Sequence, residues 1–319
     1  MTGLDAPRGL IVDLVTPLEK TGDIDTGSLH RLLNRVIPYC QAVLLASPQA
    51  GEGSFLNPAQ IKKLLEASLS IIGGKIKVFF WMSRKSEDET RENLLELART
   101  VGKRGTRANV FWVDTPLSYR SNRGLPAYYR ELTSKARALF ILSNDPEFVQ
   151  KSKGEKQPLK RSNIRTGILK ELASIQEIKG MIFRGPLGRA HNYQKAVRTR
   201  PEFRIYDGDE AHFLNYPSLS GVISPGASLA PKPWQRITAS SMSLEDPDYR
   251  YPDQVRQILD AGAFVSELRG FYQHHPAPVL KEALCRLGVI ACNASWEKLE
   301  VPPEHIDRLV EVVKRQDEY

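Results

Sequence analysis

Eight short apolar runs, nearly all separated by segments with helical spacing, are followed by a C-terminal stretch of helical pattern. Together they predict an α/β protein: a (β/α)8 TIM barrel with a C-terminal helical extension. Each run is apolar on both parities, as a parallel strand covered on both faces requires. The 319 residues, 41% of them hydrophobic, suffice to bury one large core. The expected division puts the barrel at 1–233 and the helical extension, packed on it, at 234–319.

In chain order, Leu10 to Val15 is the first expected strand, closed by Thr16-Pro17. Ser28 to Tyr39 follows, with Leu29, Leu32, Leu33 and Val36 on one helical face. Ala42 to Ala46 is the second strand. Asn57-Pro58-Ala59-Gln60 then opens a helix, with an Asn cap, Pro at the first helical position and Gln three residues after the cap; Gly73-Gly74 ends it. Ile76 to Met82 is the third strand, and Ser86-Glu87-Asp88-Glu89 caps the next helix with acids at its positive end. Asn109 to Val113 and Leu139 to Leu142 are the fourth and fifth strands, with a helix from Tyr128 to Ala138 between them. A long polar insert and a helix from Ile168 to Ile175 lead to the sixth strand, Lys179 to Gly185. Phe203 to Tyr206 and Gly221 to Ser224 complete the eight, and Val255–Tyr272, Pro278–Leu287 and Pro303–Lys314 are the helices of the extension.

The balance of 45 Lys+Arg against 37 Asp+Glu, net +8, favours anionic ligands, but no nucleic-acid reader motif accompanies it and nucleic acid is disfavoured as a partner. Cys40, Cys285 and Cys292 form no Cys-x-x-Cys pair, so they read as reduced thiols in a cytoplasmic protein. The start, Met1 to Asp13, carries no signal-peptide pattern, and no apolar run reaches the length of a membrane span.

Strand ends of such a barrel build its active-site mouth. The polar groups there are Gln49, Asp114, Ser118, Tyr119, Ser143, Asn144, Arg184, Asp207, Asp209 and Ser224. In the sixth strand Ile182 and Arg184 share one parity and Phe183 takes the other; an isoleucine cannot serve as nucleophile, acid or base. Arg184 is expected either to bind an acid together with Gln49 and nearby hydroxyls, or to be held by Asp207, Asp209 or Glu52. Asp207, Asp209 and His212 invite a metal reading, but none is expected; His274-His275 reads as solvent or packing histidines, and no Ser-His-acid triad is supported.

Several motifs carry a family resemblance in their order and spacing: Gly9–Pro17, Gly51-Glu52 with Leu56, Thr115-Pro116, Ile141–Pro146, Ile178–Met181, Gly208–Glu210, Gly221–Ser224, and Pro276–Val279 ahead of Leu287-Gly288. On these the chain resembles the dihydrodipicolinate synthase / N-acetylneuraminate lyase family of pyruvate-handling aldolases, over nearly its whole length. The resemblance implies imine catalysis by a lysine two positions after the glycine of a Gly-Ile-Lys motif. Here that register reads Gly180-Met181-Ile182; Lys179 faces the other side of the strand, and a guanidinium at Arg184 forms no imine. The tyrosine of the family's Tyr-Asn-x-Pro is Ser143. The family's Gly-Thr-Thr-Gly-Glu reads Pro48-Gln49-Ala50-Gly51-Glu52, and its Pro-Tyr-Tyr-Asn reads Pro116-Leu117-Ser118-Tyr119, where a one-residue slip could restore Tyr119.

Four departures in four separately anchored motifs imply an abandoned imine mechanism. The positions of the family's catalytic residues are thus held by Ile182, Ser143 and Ser118. The expected ligand-binding set is Gln49, Ala50, Glu52, Ser118, Tyr119, Ser143, Asn144, Ile182, Arg184, Asp207, Asp209 and Ser224, with no metal and no cofactor. The expected ligand is a small carboxylate or keto acid, and the resemblance implies a homo-oligomer, dimer or tetramer. Two alternatives stand beside this: an active aldolase or lyase with a relocated lysine or a metal, and a basic interaction protein using the 150–165 flap, whose cations are Lys151, Lys153, Lys156, Lys160, Arg161 and Arg165. Arg165-Thr166-Gly167 echoes a family Arg-Thr-Gly, displaced to a helix start.

Overall fold

The computed structural model describes residues 5–106, 109–153, 161–218, 220–242 and 253–318. Eight parallel strands close a barrel in chain order: β1 (Gly9–Asp13), β2 (Ala42–Leu45), β3 (Lys77–Trp81), β4 (Val110–Asp114), β5 (Leu139–Asn144), β6 (Ile178–Phe183), β7 (Arg204–Asp207) and β8 (Gly221–Ser224). β8 returns to β1, where Gly221 pairs with Gly9. Closure leaves no strand edge among them.

Around the barrel run α1 (Thr26–Val36), α2 (Pro58–Ile72), α3 (Glu87–Lys103), α4 (Leu125–Ala136), α5 (Pro146–Lys153), α6 (Thr166–Ala173), α7 (Leu187–Val197), α8 (Glu210–Asn215) and α9 (Pro231–Met242). α10 (Asp253–Tyr272), α11 (Pro276–Arg286) and α12 (Pro303–Lys314) form the C-terminal layer. The expected caps are in place. Asn57 and Gln60 make a reciprocal capping box on α2, which stops at Gly73 with φ +57°, and the Ser86 hydroxyl accepts from the Glu89 amide at the start of α3. α9 packs against β1 and begins before residue 234, so one helix crosses the expected division of the chain.

Two helices depart from expectation. The start of the polar insert is α5, and the connection between β6 and β7 holds α7. Each buries few side chains: α7 buries only Tyr193 and Val197, too sparse a stripe to show as helical spacing.

Strand parity sorts the core in two. Inward residues, among them Ile11, Leu44, Phe79, Phe111, Val113, Ile141, Ile182, Tyr206 and Ile223, fill the barrel; outward residues pack under the helices. Phe79 lies 5.4 Å from Phe111 and 5.7 Å, edge-on, from Tyr206 (ring centroids), so the interior is a packed core and not a channel. Each such side chain contributes about 1.5–3 kcal/mol by leaving water. A mouth above this plug remains for chemistry.

Candidate functional site

Counting on by two from each inward residue identifies what reaches the mouth. From Ile11 this gives Asp13, from Ile141 it gives Ser143 and then Asp145, and from Ile182 it gives Arg184. Asp13, Ser143, Asp145, Ile182 and Arg184 indeed line one small chamber of about 30 Å³, with Ser47, Gln49 and Trp81 among the other walls. Gly208 stands against two of these walls without a side chain, since a Cβ there would lie 2.7 Å from Arg184 Cγ and 3.0 Å from Ile182 Cγ2.

Arg184 is held by Asp145, not by the Asp207, Asp209 or Glu52 that the sequence offered. Its Nε stands 3.5 Å from Asp145 Oδ2, which also accepts from Gln49 Nε2 at 3.3 Å. The other Asp145 oxygen accepts from the Phe148 amide at 3.0 Å and so caps α5. Among the described residues no hydrogen bond engages the two terminal nitrogens of Arg184, and its side chain is 28% exposed. Those are the nitrogens that clamp a carboxylate in parallel.

Asp13 is 2% exposed, and its Oδ1 has no hydrogen-bond partner among the described residues. Burial lifts its carboxyl from 3.8 to about 7, against the pull of Ser47 and the Arg184 charge, with Glu210 adding to the rise.

The outward residues of the same strand ends do different work. Asp114 accepts from Ser83 Oγ at 2.7 Å, Tyr119 OH at 2.7 Å and Tyr129 OH at 2.6 Å. Asn144 accepts from the Ile164 amide at 2.8 Å and donates to Asn163 Oδ1 at 3.0 Å, anchoring the approach to α6. Asp207 bonds His212 Nδ1 at 2.8 Å and accepts from the Ser218 amide at 2.8 Å. Ser224 donates to Glu210 Oε1 at 2.6 Å. Burial raises the carboxyls of Asp114, Asp207 and Glu210 above their ordinary range, although each is hydrogen-bonded.

A cleft of about 630 Å³ lies above the chamber, bounded on one side by the C-terminal layer through Arg269, Tyr272, Gln273, His274, His275 and Glu297. Pro48, Gln49 and Arg184 line both spaces. Glu52 sits at its edge with φ +52°, a backbone a side-chain-bearing residue rarely adopts. Its carboxylate takes the ammonium of the fully buried Lys281, accepts from Ser295 Oγ and the Trp296 amide at 2.6 Å each, and so ties the mouth to the segment after α11. Burial pushes Lys281 down and Glu52 opposes this. Glu210 makes a second tie, accepting from Tyr272 OH of α10 at 2.8 Å.

Of the expected ligand-binding residues, Gln49, Glu52, Arg184 and Asp209 border the cleft, and Gln49, Ser143, Ile182 and Arg184 the chamber. Ala50, Ser118, Tyr119, Asn144, Asp207 and Ser224 line neither. The strand-end members face outward by parity; Tyr119 is turned to Asp114, and Ser118 donates to the Thr115 carbonyl at 2.7 Å. Asp207 and Asp209 do not converge, because Asp209 caps α8 and approaches Arg269 at 3.7 Å. Sequence reading passed over Asp13, Asp145, Lys281 and the cleft-side Arg269. For Asp13 there was a signal: a lone carboxylate on the inward parity of a strand buried throughout. Of the basic flap, 154–160, with Lys156 and Lys160, lies outside the described residues. Lys151 edges the cleft, and Arg165 stands at the N-cap of α6.

The model of the dihydrodipicolinate synthetase family matches residues 6–243, well over half of the chain. A 4-hydroxy-tetrahydrodipicolinate synthase of Thiobacillus denitrificans is 26% identical over 293 residues, covering 91% of this chain and 90% of the relative. A solved structure of a monomeric dihydrodipicolinate synthase variant aligns at TM-score 0.79 and 20% identity, over 99% of each chain. The pyruvate complex of the Acinetobacter baumannii dihydrodipicolinate synthase aligns at 0.77 and 19%, over 98% of this chain and 99% of that one. At such identities the structural likenesses speak for the fold. No helix among the described residues is long and apolar enough to cross a membrane.

Proposed function

The chain belongs to the dihydrodipicolinate synthetase family, and we propose that within it this protein binds a small carboxylate or 2-keto acid at the barrel mouth without forming an imine. One observation carries the reading: the inward position at the mouth end of β6 is Ile182, which has no nucleophilic atom. The lysine that borders the cleft, Lys151, is 75% exposed and paired at 2.8 Å with Glu147, which raises its pKa above an ordinary lysine's and keeps it protonated. Lys281 is enclosed against Glu52 and borders neither space. Arg184, with its two terminal nitrogens open, is the group suited to a carboxylate.

The test is the melting temperature with and without pyruvate and longer 2-keto acids, in the wild type and in Arg184→Met. A ligand at 100 times its Kd adds about 2.7 kcal/mol of stability. The wild type is expected to gain that stabilisation with at least one acid and the variant to lose it. Equal shifts in both proteins would move the ligand away from Arg184, and no shift with any acid would remove the reading.

A second reading, an imine enzyme with a relocated lysine, draws on the synthase activity for which the relatives are named. It requires a lysine that loses its proton near neutral pH, and Lys151 is held in the opposite direction. The dimer or tetramer and the cytoplasmic location belong to the proposal through the family resemblance, and sedimentation of the purified chain measures the first.

A further inference from the structure

We propose that Asp13 is the acid–base residue of the mouth, exchanging a proton with the carbon beside the ketone of a small 2-oxo acid whose carboxylate Arg184 holds. This rests on the acid-binding reading above and adds to it a reaction and the residue that performs it.

Asp13 is the last residue of β1 and faces inward above Ile11, so its carboxyl stands in the chamber beside Ser143, Ile182 and Arg184. An unpartnered carboxylate oxygen in a buried site is costly, and Asp13 Oδ1 is the one carboxylate oxygen among the buried side-chain atoms left without a partner in the described residues. The outward carboxyls at the ends of β4 and β7, Asp114 and Asp207, meet that demand with three and two partners; Asp13 Oδ1 does not. The chamber admits only a small group, about 30 Å³, and Arg184 is the charged residue at its junction with the cleft, beside Pro48 and Gln49. An acid clamped there by its carboxylate directs its carbonyl end inward, onto Asp13 and the Ser143 hydroxyl.

The step balances without a cofactor. The Asp13 carboxylate takes a proton from C3. The C–H pair becomes the C2–C3 double bond, and the carbonyl π pair moves to oxygen as an enolate that the Ser143 hydroxyl can meet with a hydrogen bond. Asp13, now a carboxylic acid, returns a proton to C3, and in D2O that proton is a deuteron. The charged groups facing Asp13 are Arg184, Asp145 and Glu210, and burial sets its carboxyl near neutrality, where one group can both accept and return a proton.

The experiment is proton NMR of pyruvate and of longer 2-oxo acids in D2O with the intact chain, read as loss of the C3 proton signal. The melting shift of the same samples is recorded alongside. Wild-type protein is expected to exchange C3 protons well above the buffer rate, with a rate that, scanned over roughly pH 5 to 9, rises through neutrality and levels above it. Asp13→Asn is expected to lower the rate at least tenfold while the acid still raises its melting temperature. A variant that exchanges within twofold of wild type overturns the assignment, as does a wild type that binds the acid but exchanges no faster than buffer; in that case acid binding stands. If no acid shifts the wild-type melting temperature, the binding reading falls and this one with it. Should Asp13→Asn fail to fold, Asp13→Ser takes its place, and exchange within twofold of wild type in that folded variant contradicts a base at this position.

Discussion

On the outward side of the strand ends Asp114, Asn144 and Asp207 direct their polar atoms at protein partners, whereas on the inward side Asp13 and Arg184 leave atoms open toward the mouth. The two sets have the same kinds of side chain, often at adjacent positions: Ser143 inward and Asn144 outward, Ile182 and Arg184 inward and Phe183 outward. Alternation along a strand decides which carboxylate holds a loop and which can meet a ligand. A strand-end polar residue is a site candidate only after its parity is fixed.

That contrast is sharpened first by the variants with the largest effects. Burial gives Asp13 a carboxyl that titrates at about 7 in place of 3.8, so the folded chain holds a proton that the unfolded chain releases between those values. Its contribution is fully present below the unfolded value and is lost as pH rises through the folded one, a decline of about 4 kcal/mol. Asp13→Asn does not titrate. The difference in denaturation free energy between wild type and variant should therefore tilt toward the variant across that window, and parallel pH–stability curves would contradict the buried proton. Asp114→Ala is next: it leaves the phenols of Tyr119 and Tyr129 without their acceptor, a loss of about 3 kcal/mol in urea denaturation. The melting shift with the 2-keto acid should survive it. A shift abolished by Asp114→Ala in still-folded protein would erase the distinction between the two faces. At the small end, Lys151→Gln removes an exposed ion pair and should change stability by no more than about 0.5 kcal/mol. It should also leave acid binding intact; loss of binding would bring the flap side of the cleft into the site.

What the sequence revealed and what it hid follow from the range of the interactions. The strands, the Asn57 capping box and the Gly73 stop depend on neighbours in the chain, and their residue patterns are legible there. Helix α7 lacks a continuous apolar stripe and left no such trace. The Glu52–Lys281 pair joins residues 229 positions apart, and nothing near either residue announces the other. Arg184 was visible as an inward cation, but its partner Asp145 follows the end of β5, and only the pairing of β5 with β6 brings them together. Asp13 was legible in principle, as a carboxylate set on the inward parity of an otherwise apolar strand; parity applied to every strand end would have found it and set aside Asn144, Asp207 and Ser224.

Acid binding without an imine is tested by borohydride trapping. The wild type is incubated with pyruvate and longer 2-keto acids, reduced, and read by intact mass and peptide mapping, beside a dihydrodipicolinate synthase as the labelling control. Unmodified mass is expected for this chain under conditions that label the control fully. A stoichiometric adduct on one lysine would contradict it and would identify the relocated nucleophile.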